Sequence, residues 1–249
     1  MRLRSSNPVY NRVMNNDEYR AAVGEYAVAT YGGVARKAIF FIALTFAGAF
    51  LGLWLMQANP AIFIQALIAS VFSTFFFAII GLAFPGLSMV FGSLFCLAEG
   101  LLIGIVSLAF ELAAPGVVLS ALLSTVVVVA VVATLFLTNI VKVNATFIRI
   151  LLIFAISMIV SSLLLWIISS FVDAVAFNGM VVGISALSTL LATLYLLFDL
   201  ERIRQVVEGG APKAMEWYVA FGIVYTIIWL YIELLRLIFI IASAVGRNR

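Results

Sequence analysis

The sequence predicts an all-α membrane protein that forms a bundle of seven transmembrane helices. Of its 249 residues, 65% are hydrophobic and only 10% are charged, and the mean hydropathy is +1.25. Soluble domains carry about 25% charged residues. Seven spans of about 20 residues each occupy more than half of the chain, which leaves no room for a sizeable soluble domain.

The N-terminal region is polar and lacks the apolar core that a cleaved signal peptide requires. We expect residues 1–37 to form a cytoplasmic tail and residues 38–249 to form the membrane domain. From Ala38 to Ala98 the next 61 residues carry no charge, which is enough for nearly three spans. Ala58-Asn59-Pro60 and Phe84-Pro85-Gly86 interrupt this stretch and predict tight turns between helices.

Charges and turn residues mark the later boundaries, at Glu111 to Gly116, Asn139 to Thr146, Asp173 to Asn178 and the charged connector Glu201 to Lys213. The predicted helices cover approximately 38–57, 61–83, 87–110, 115–138, 147–171, 177–200 and 215–243. Three GxxxG pairs within them predict close helix packing: Gly48 with Gly52, Gly100 with Gly104, and Gly179 with Gly183.

The orientation of the bundle follows from its basic residues, because lysine and arginine favour the cytoplasmic side. With the tail inside, only Arg247 and Arg249 lie outside, and Arg236 lies within the last helix. The two terminal arginines leave open a last segment that enters the membrane without crossing it. Its length, about 46 Å as a helix, favours a full span with the C-terminus outside. Eleven of the fourteen basic residues are then cytoplasmic: Arg2, Arg4, Arg12, Arg20, Arg36, Lys37, Lys142, Arg149, Arg202, Arg204 and Lys213.

The composition also excludes several classes of function. Without histidine, the chain lacks Ser-His and Cys-His pairs, HExxH zinc sites and histidine-ligated haem. Its single cysteine, Cys96, excludes an intrachain disulfide. A net charge of only +3, without a basic stripe, indicates that the chain does not bind nucleic acid. Since no nucleophile and base or phosphate-binding loop is found either, we expect neither an enzyme nor a bound cofactor.

Ionisable residues inside the membrane are costly and are therefore candidates for function. Glu99 lies roughly 20 Å into the third helix, near the middle of the bilayer, and must face protein or water. Glu233 and Arg236 are spaced i, i+3 on the last helix, so they can pair with each other or with Glu99. A purely structural role for these charges stays open.

Asp199 closes the sixth helix, and Arg202 three residues later is its natural local partner. An ordinary solvated charge at the membrane interface is the other interpretation of Asp199. The chain has no GxGD motif and no second deep aspartate, which excludes the carboxylate pair of an intramembrane aspartyl protease.

Four short segments are more specific than the helix pattern: Ser5–Val9, Ala98–Leu101, Leu194–Leu200 and Trp229–Arg236. In these segments and through all seven spans, the chain resembles the bacterial branch of the Bax inhibitor-1 family, also called the transmembrane Bax inhibitor motif family. The resemblance implies a central last helix wrapped by the other six. It also implies a slow, pH-dependent calcium leak across the bacterial cytoplasmic (inner) membrane.

In that family an aspartate at the end of the sixth helix, matched here by Asp199, pairs with an aspartate on the seventh helix as pH sensor and latch. Aligning the chain on its Leu-Leu-Arg run places Thr226 where the second aspartate would stand. Glu233, Glu216 or Glu99 would then have to replace that aspartate.

The function expected from these residues is a pH-sensitive calcium or cation leak channel, gated by protonation of intramembrane carboxylates. A hard cation needs several oxygen ligands, and permeation requires weak binding. Glu99 and Glu233 are the expected ion path and transient Ca²⁺ site, and Asp199 with Arg202 is the expected cytoplasmic latch. Ca²⁺ enters this hypothesis as a permeant ion and not as a cofactor.

Two other functions stay open. Some bacterial relatives are substrates and modulators of the membrane-anchored ATP-dependent protease, so the resemblance also implies a non-conducting regulator of membrane protein turnover. The polar tail is long enough for such a partner to engage. A proton-coupled transporter that uses the same carboxylates is the third hypothesis.

Overall fold

The computed structural model describes residues 27–169 and 178–246, and these residues form seven long helices. Each helix contains a segment long and apolar enough to cross a membrane, and no β-strand longer than an isolated bridge occurs in the described ranges. The predicted all-α membrane fold is therefore confirmed. The helices are α1 (Tyr31–Ala58), α2 (Pro60–Ala83), α3 (Ser88–Ala113), α4 (Val117–Leu137), α5 (Ala145–Ser169), α6 (Asn178–Glu208) and α7 (Met215–Gly246).

The last helix is the centre of the bundle. α7 packs against α1, α2, α3, α4 and α6, whereas α5 packs mainly against α6. Side chains along the length of α7 are fully or almost fully buried, including Phe221, Val224, Leu230 and Leu235. The bundle therefore buries its last helix and exposes apolar side chains of the others on the outside, as expected of helices that face lipid.

Two helix ends differ from the sequence prediction. α1 begins at Tyr31 rather than near residue 38, because the Thr30 hydroxyl accepts a hydrogen bond from Gly33 N and caps the helix. Arg36 and Lys37, expected in the tail, are therefore helical. α6 continues past residue 200 to Glu208. It ends where Gly210 adopts a left-handed φ of 64°.

Short backbone contacts tie the start of α1 to the connector between α6 and α7. Ala29 N donates to Ala211 O (2.8 Å), and Lys213 N donates to Ala27 O (2.9 Å). These bonds fix one end of the bundle, where α1 and α7 begin and α6 ends; we call this end the N-side. The loop that carries Lys142, between α4 and α5, lies at the same end because successive helices alternate in direction.

Small residues allow α1 and α3 to pack backbone against backbone. A Cβ atom at Gly48 would overlap the Leu97 carbonyl, and one at Gly100 would overlap the Thr45 carbonyl. The first two GxxxG pairs therefore mark a close helix contact, as predicted. In the third pair, a Cβ atom at Gly183 would meet no atom within 4 Å, and the surroundings of Gly179 lie outside the described residues.

Candidate functional site

A cavity of about 880 Å³ lies inside the bundle between α2, α3, α5, α6 and α7. Its wall is mostly apolar and aromatic. Three charged side chains of the described residues line it, namely Glu99, Asp199 and Arg202, and Thr226 lines it as well. The structure thus brings four of the six predicted site residues to one cavity.

Glu99 reaches the cavity from α3, one helical turn after Phe95, which faces the same side. It lies eleven residues after the start of the helix, or about 17 Å from the N-side along α3, close to the predicted mid-membrane depth. Within the described part of the chain, no donor or cation contacts its carboxylate. Among the residues that the structure describes, Glu99 is therefore a carboxylate inside the membrane domain without a counter-ion.

Asp199 reaches the cavity from α6 and is only 6% exposed. Its Oδ2 accepts a hydrogen bond of 2.5 Å from the Thr226 hydroxyl on α7. Gly222, one turn before Thr226, lies beside the carboxylate, where a Cβ atom would stand in ordinary contact with Oδ1, at 3.6 Å. Thr226 stands where the resemblance places a second aspartate. Its hydroxyl group is therefore in direct contact with Asp199.

Arg202 does not form the predicted ion pair with Asp199. Among the described residues its guanidinium instead donates to the Tyr218 hydroxyl (2.5 Å) and lies over the rings of Phe198 and Tyr218, 5.5 and 5.0 Å from their centroids. Thr226 already satisfies Asp199, and the two ring faces hold the cation further toward the N-side. Arg202 and Tyr218 flank a narrow gap beside Asp199 that is completed by Leu82, Val219 and Gly222.

Glu233 and Arg236 form the predicted ion pair on α7. Trp229 Nε1 donates to Glu233 (3.2 Å), and Arg236 Nε donates to Ser185 Oγ on α6 (3.1 Å). Glu233 is not part of the cavity wall, so the structure does not assemble the predicted Ca²⁺ site of Glu99 and Glu233. The described residues likewise contain no cluster of three or more acidic, cysteine or histidine side chains.

Glu216, named from the sequence only as a possible replacement for the second aspartate, is a buried charge whose ion pair the sequence did not predict. It is 0% exposed at the start of α7, forms an ion pair with Lys37 of α1, and accepts a hydrogen bond from Thr30 N (2.8 Å). Lys37 also lies over the Trp217 ring. The available signal was an acidic residue in the first turn of a helix, where the helix dipole favours it. Its partner is 179 residues away in sequence.

A family model described as Bax inhibitor 1 like matches residues 7–243. The chain belongs to this family. No curated protein matches the sequence closely. The matched range covers α1 to α6 and most of α7, so in this Bax inhibitor-1-like chain every cavity and ion-pair residue described above lies within the family domain. The segment Ser5–Val9 and most of the N-terminal tail lie outside the described residues.

Proposed function

We propose that the chain is a pH-sensitive cation leak channel for which Ca²⁺ is the expected permeant ion. The observation that carries the proposal is that Glu99 and Asp199 line one cavity inside the membrane domain. An ionisable side chain in a span faces protein, water or an ion path because exposure to lipid is too costly. No cation neutralises Glu99 within the described residues, so its carboxylate is available to a permeating ion.

Glu99 offers the ion one carboxylate, and the hydroxyls of Thr74, Ser162, Ser188 and Tyr225 line the same cavity. Ca²⁺ takes about 6–8 oxygen ligands, so one carboxylate, a few hydroxyls and water make a weak site. Weak binding suits permeation, because an ion held by a full set of carboxylates would not leave. In this proposal Glu233 holds Arg236 and is not a ligand of the ion.

Asp199 is the proposed protonation-sensitive group because it lies where the cavity narrows toward the N-side. It joins α6 to α7 through Thr226, and the Arg202–Tyr218 contact joins the same helices next to it. An ionised Asp199 attracts Arg202, and a neutral one leaves Arg202 with Tyr218. Protonation therefore changes the balance between two arrangements of the N-side constriction.

We further propose that the chain resides in the bacterial cytoplasmic membrane with the N-side in the cytoplasm. The support is the distribution of basic residues, since Arg36, Lys37, Lys142, Arg204 and Lys213 all lie at or near the N-side. The continuous helix α7 supports a full last span with the C-terminus outside.

Ca²⁺ uptake into proteoliposomes over a pH series tests this function. We expect a pH-dependent flux that Glu99→Gln reduces about tenfold and that Asp199→Asn makes independent of pH. Glu201→Gln is the matched control, because Glu201 pairs with Arg204 outside the cavity wall. Unaltered flux in both cavity variants contradicts the assigned roles.

Absence of flux above that of empty liposomes, with correct insertion verified, contradicts the channel. That result favours the alternative of a regulator of membrane protein turnover that partners a membrane-anchored ATP-dependent protease. Removing residues 1–26, which lie outside the described residues, and measuring capture of that protease then becomes the deciding experiment.

A further inference from the structure

The cavity wall around Glu99 is aromatic. The rings of Phe95 and Tyr225 lie 5.3 Å apart, and those of Tyr195 and Trp229 lie 5.7 Å apart. All four rings line the cavity together with Glu99. A carboxylate among aromatic faces matches the chemistry of organic cations, whose diffuse charge is attracted both to the carboxylate and to the ring quadrupoles.

The cavity opens sideways toward the lipid. α2 and α5 form two of its walls, and among the described residues they do not pack closely against each other. Phe75 of α2 and Ile159 of α5 belong to the wall and are 73% and 69% exposed, so they lie at an open rim. At the N-side, by contrast, Arg202 and Tyr218 flank only a narrow gap. The lateral opening therefore gives a solute dissolved in the bilayer a direct route into the cavity.

Size and charge select the class of solute. The volume of about 880 Å³ falls within the range of about 300–1,000 Å³ typical of small-molecule sites. The one cation of the wall, among the described residues, is Arg202, which is engaged by Tyr218 and Phe198 at the N-side end. Glu99 has no such partner within the described ranges. The wall is thus complementary to a positive, largely apolar molecule and not to an anion of equal size.

We propose that the cavity binds a lipophilic organic cation, which enters from the bilayer between α2 and α5 and places its charge against Glu99 and Tyr225. This binding is independent of the proposed leak, because it requires no ion to cross the bundle. The expected ligands of the cavity are quaternary ammonium and phosphonium compounds with apolar substituents.

Equilibrium dialysis of tetraphenylphosphonium against the purified full-length protein in detergent micelles tests the proposal, with empty micelles as the blank. Tetraphenylborate has the same shape and the opposite charge, and it is the matched control ligand. We expect saturable binding of tetraphenylphosphonium and at least about tenfold weaker binding of tetraphenylborate. Equal affinity for the two ions, or binding that does not saturate, overturns the proposal.

Variants locate the site. We expect Glu99→Gln to weaken tetraphenylphosphonium binding about tenfold and Tyr225→Leu to weaken it about fivefold. Glu201→Gln removes the same charge outside the cavity wall, and we expect it to bind like the parent. If Glu99→Gln does not fold, the proposal is tested by the Tyr225→Leu variant and by the comparison of tetraphenylphosphonium with tetraphenylborate. Parent-like binding in both cavity variants overturns the assignment, whether or not the protein conducts Ca²⁺.

Discussion

At the scale of single residues, the Asp199–Thr226 contact gives this chain one ionisable group where the family resemblance implies two. Two neighbouring carboxylates titrate as a coupled pair with two macroscopic steps, whereas one carboxylate beside a hydroxyl titrates once. Among the described residues, the ionisable groups nearest to Asp199 are Arg202, Tyr195 and Tyr218, and the second carboxylate of the cavity, Glu99, lies on α3. We therefore expect the pH response of this chain to follow a single-proton titration.

Thr226→Val tests the part that the hydroxyl plays. The change keeps the shape of the side chain but removes the donor to Asp199, so the proton affinity of that carboxylate changes. We expect the pH of half-maximal Ca²⁺ flux to move in Thr226→Val and to stay in place in Thr125→Val. The latter removes a buried hydroxyl that donates only to a carbonyl of its own helix. Identical pH profiles in the two variants would show that Thr226 is not part of the proposed pH sensor.

The Lys37–Glu216 pair predicts a strong effect on stability. Lys37→Met leaves the fully buried Glu216 carboxylate without its cation, and breaking a buried pair in this way costs about 3–5 kcal/mol. We expect a clear decrease in the thermal unfolding temperature in detergent, with partial recovery in the double variant Lys37→Met/Glu216→Gln. Lys142→Met, in an exposed loop, is the control. A decrease as large in the control contradicts the pairing argument.

Residue contacts were predictable where they depend on spacing within one helix and not where they depend on packing. The Glu233–Arg236 pair follows from i, i+3 spacing. The same spacing suggested a pair of Asp199 with Arg202. In the structure, however, Arg202 donates to Tyr218 of α7, and Asp199 accepts from Thr226 of α7. Tertiary partners of this kind are set by how α6 lies on α7, which no local pattern contains.

At the scale of elements, the closest helix contact is that of α1 with α3, where carbonyl groups occupy the space that side chains would need. Gly100→Ala places a methyl group against the Thr45 carbonyl, and overpacking of this kind costs about 1–3 kcal/mol. Gly183→Ala in α6 meets no atom within 4 Å and gains helix propensity of up to about 1 kcal/mol. We expect Gly100→Ala to lower the thermal unfolding temperature in detergent and Gly183→Ala to raise it. A loss in both variants, or in neither, contradicts the packing argument.

Helix number was predictable from hydropathy, and helix ends were less so. Because Arg36 and Lys37 are charged, the sequence prediction placed them in the tail, whereas Lys37 pairs with Glu216 and lies within the first turns of α1. The last turns of α6 were likewise not predicted, because they contain the charged residues Glu201, Arg202 and Arg204. In the structure Glu201 and Arg204 pair along the helix surface. Hydropathy detects the helix segments that contact lipid. The first turns of α1 and the last turns of α6 lie outside those segments, so hydropathy does not detect them.

At the scale of the whole molecule, the seven helices and the basic N-side predict the orientation in the membrane. Lys142→Cys lies in an N-side loop, and Ala58→Cys lies at the opposite end of α1. The native Cys96 is fully buried, so it contributes little background to labelling. In intact bacterial spheroplasts we expect an impermeant maleimide to label Ala58→Cys and to label Lys142→Cys only after lysis. The reverse pattern contradicts a cytoplasmic N-side.

The central position of α7 has a consequence for biosynthesis. The chain is made from its N-terminus, so the helix that the others surround is synthesised after the other six. Until it is inserted, α1 to α6 lack the helix against which α1, α2, α3, α4 and α6 pack, and Lys37 lacks its partner Glu216. The core of the bundle is therefore completed only after α7 has been inserted, and we expect a chain truncated before Met215 to become a substrate for quality-control proteolysis.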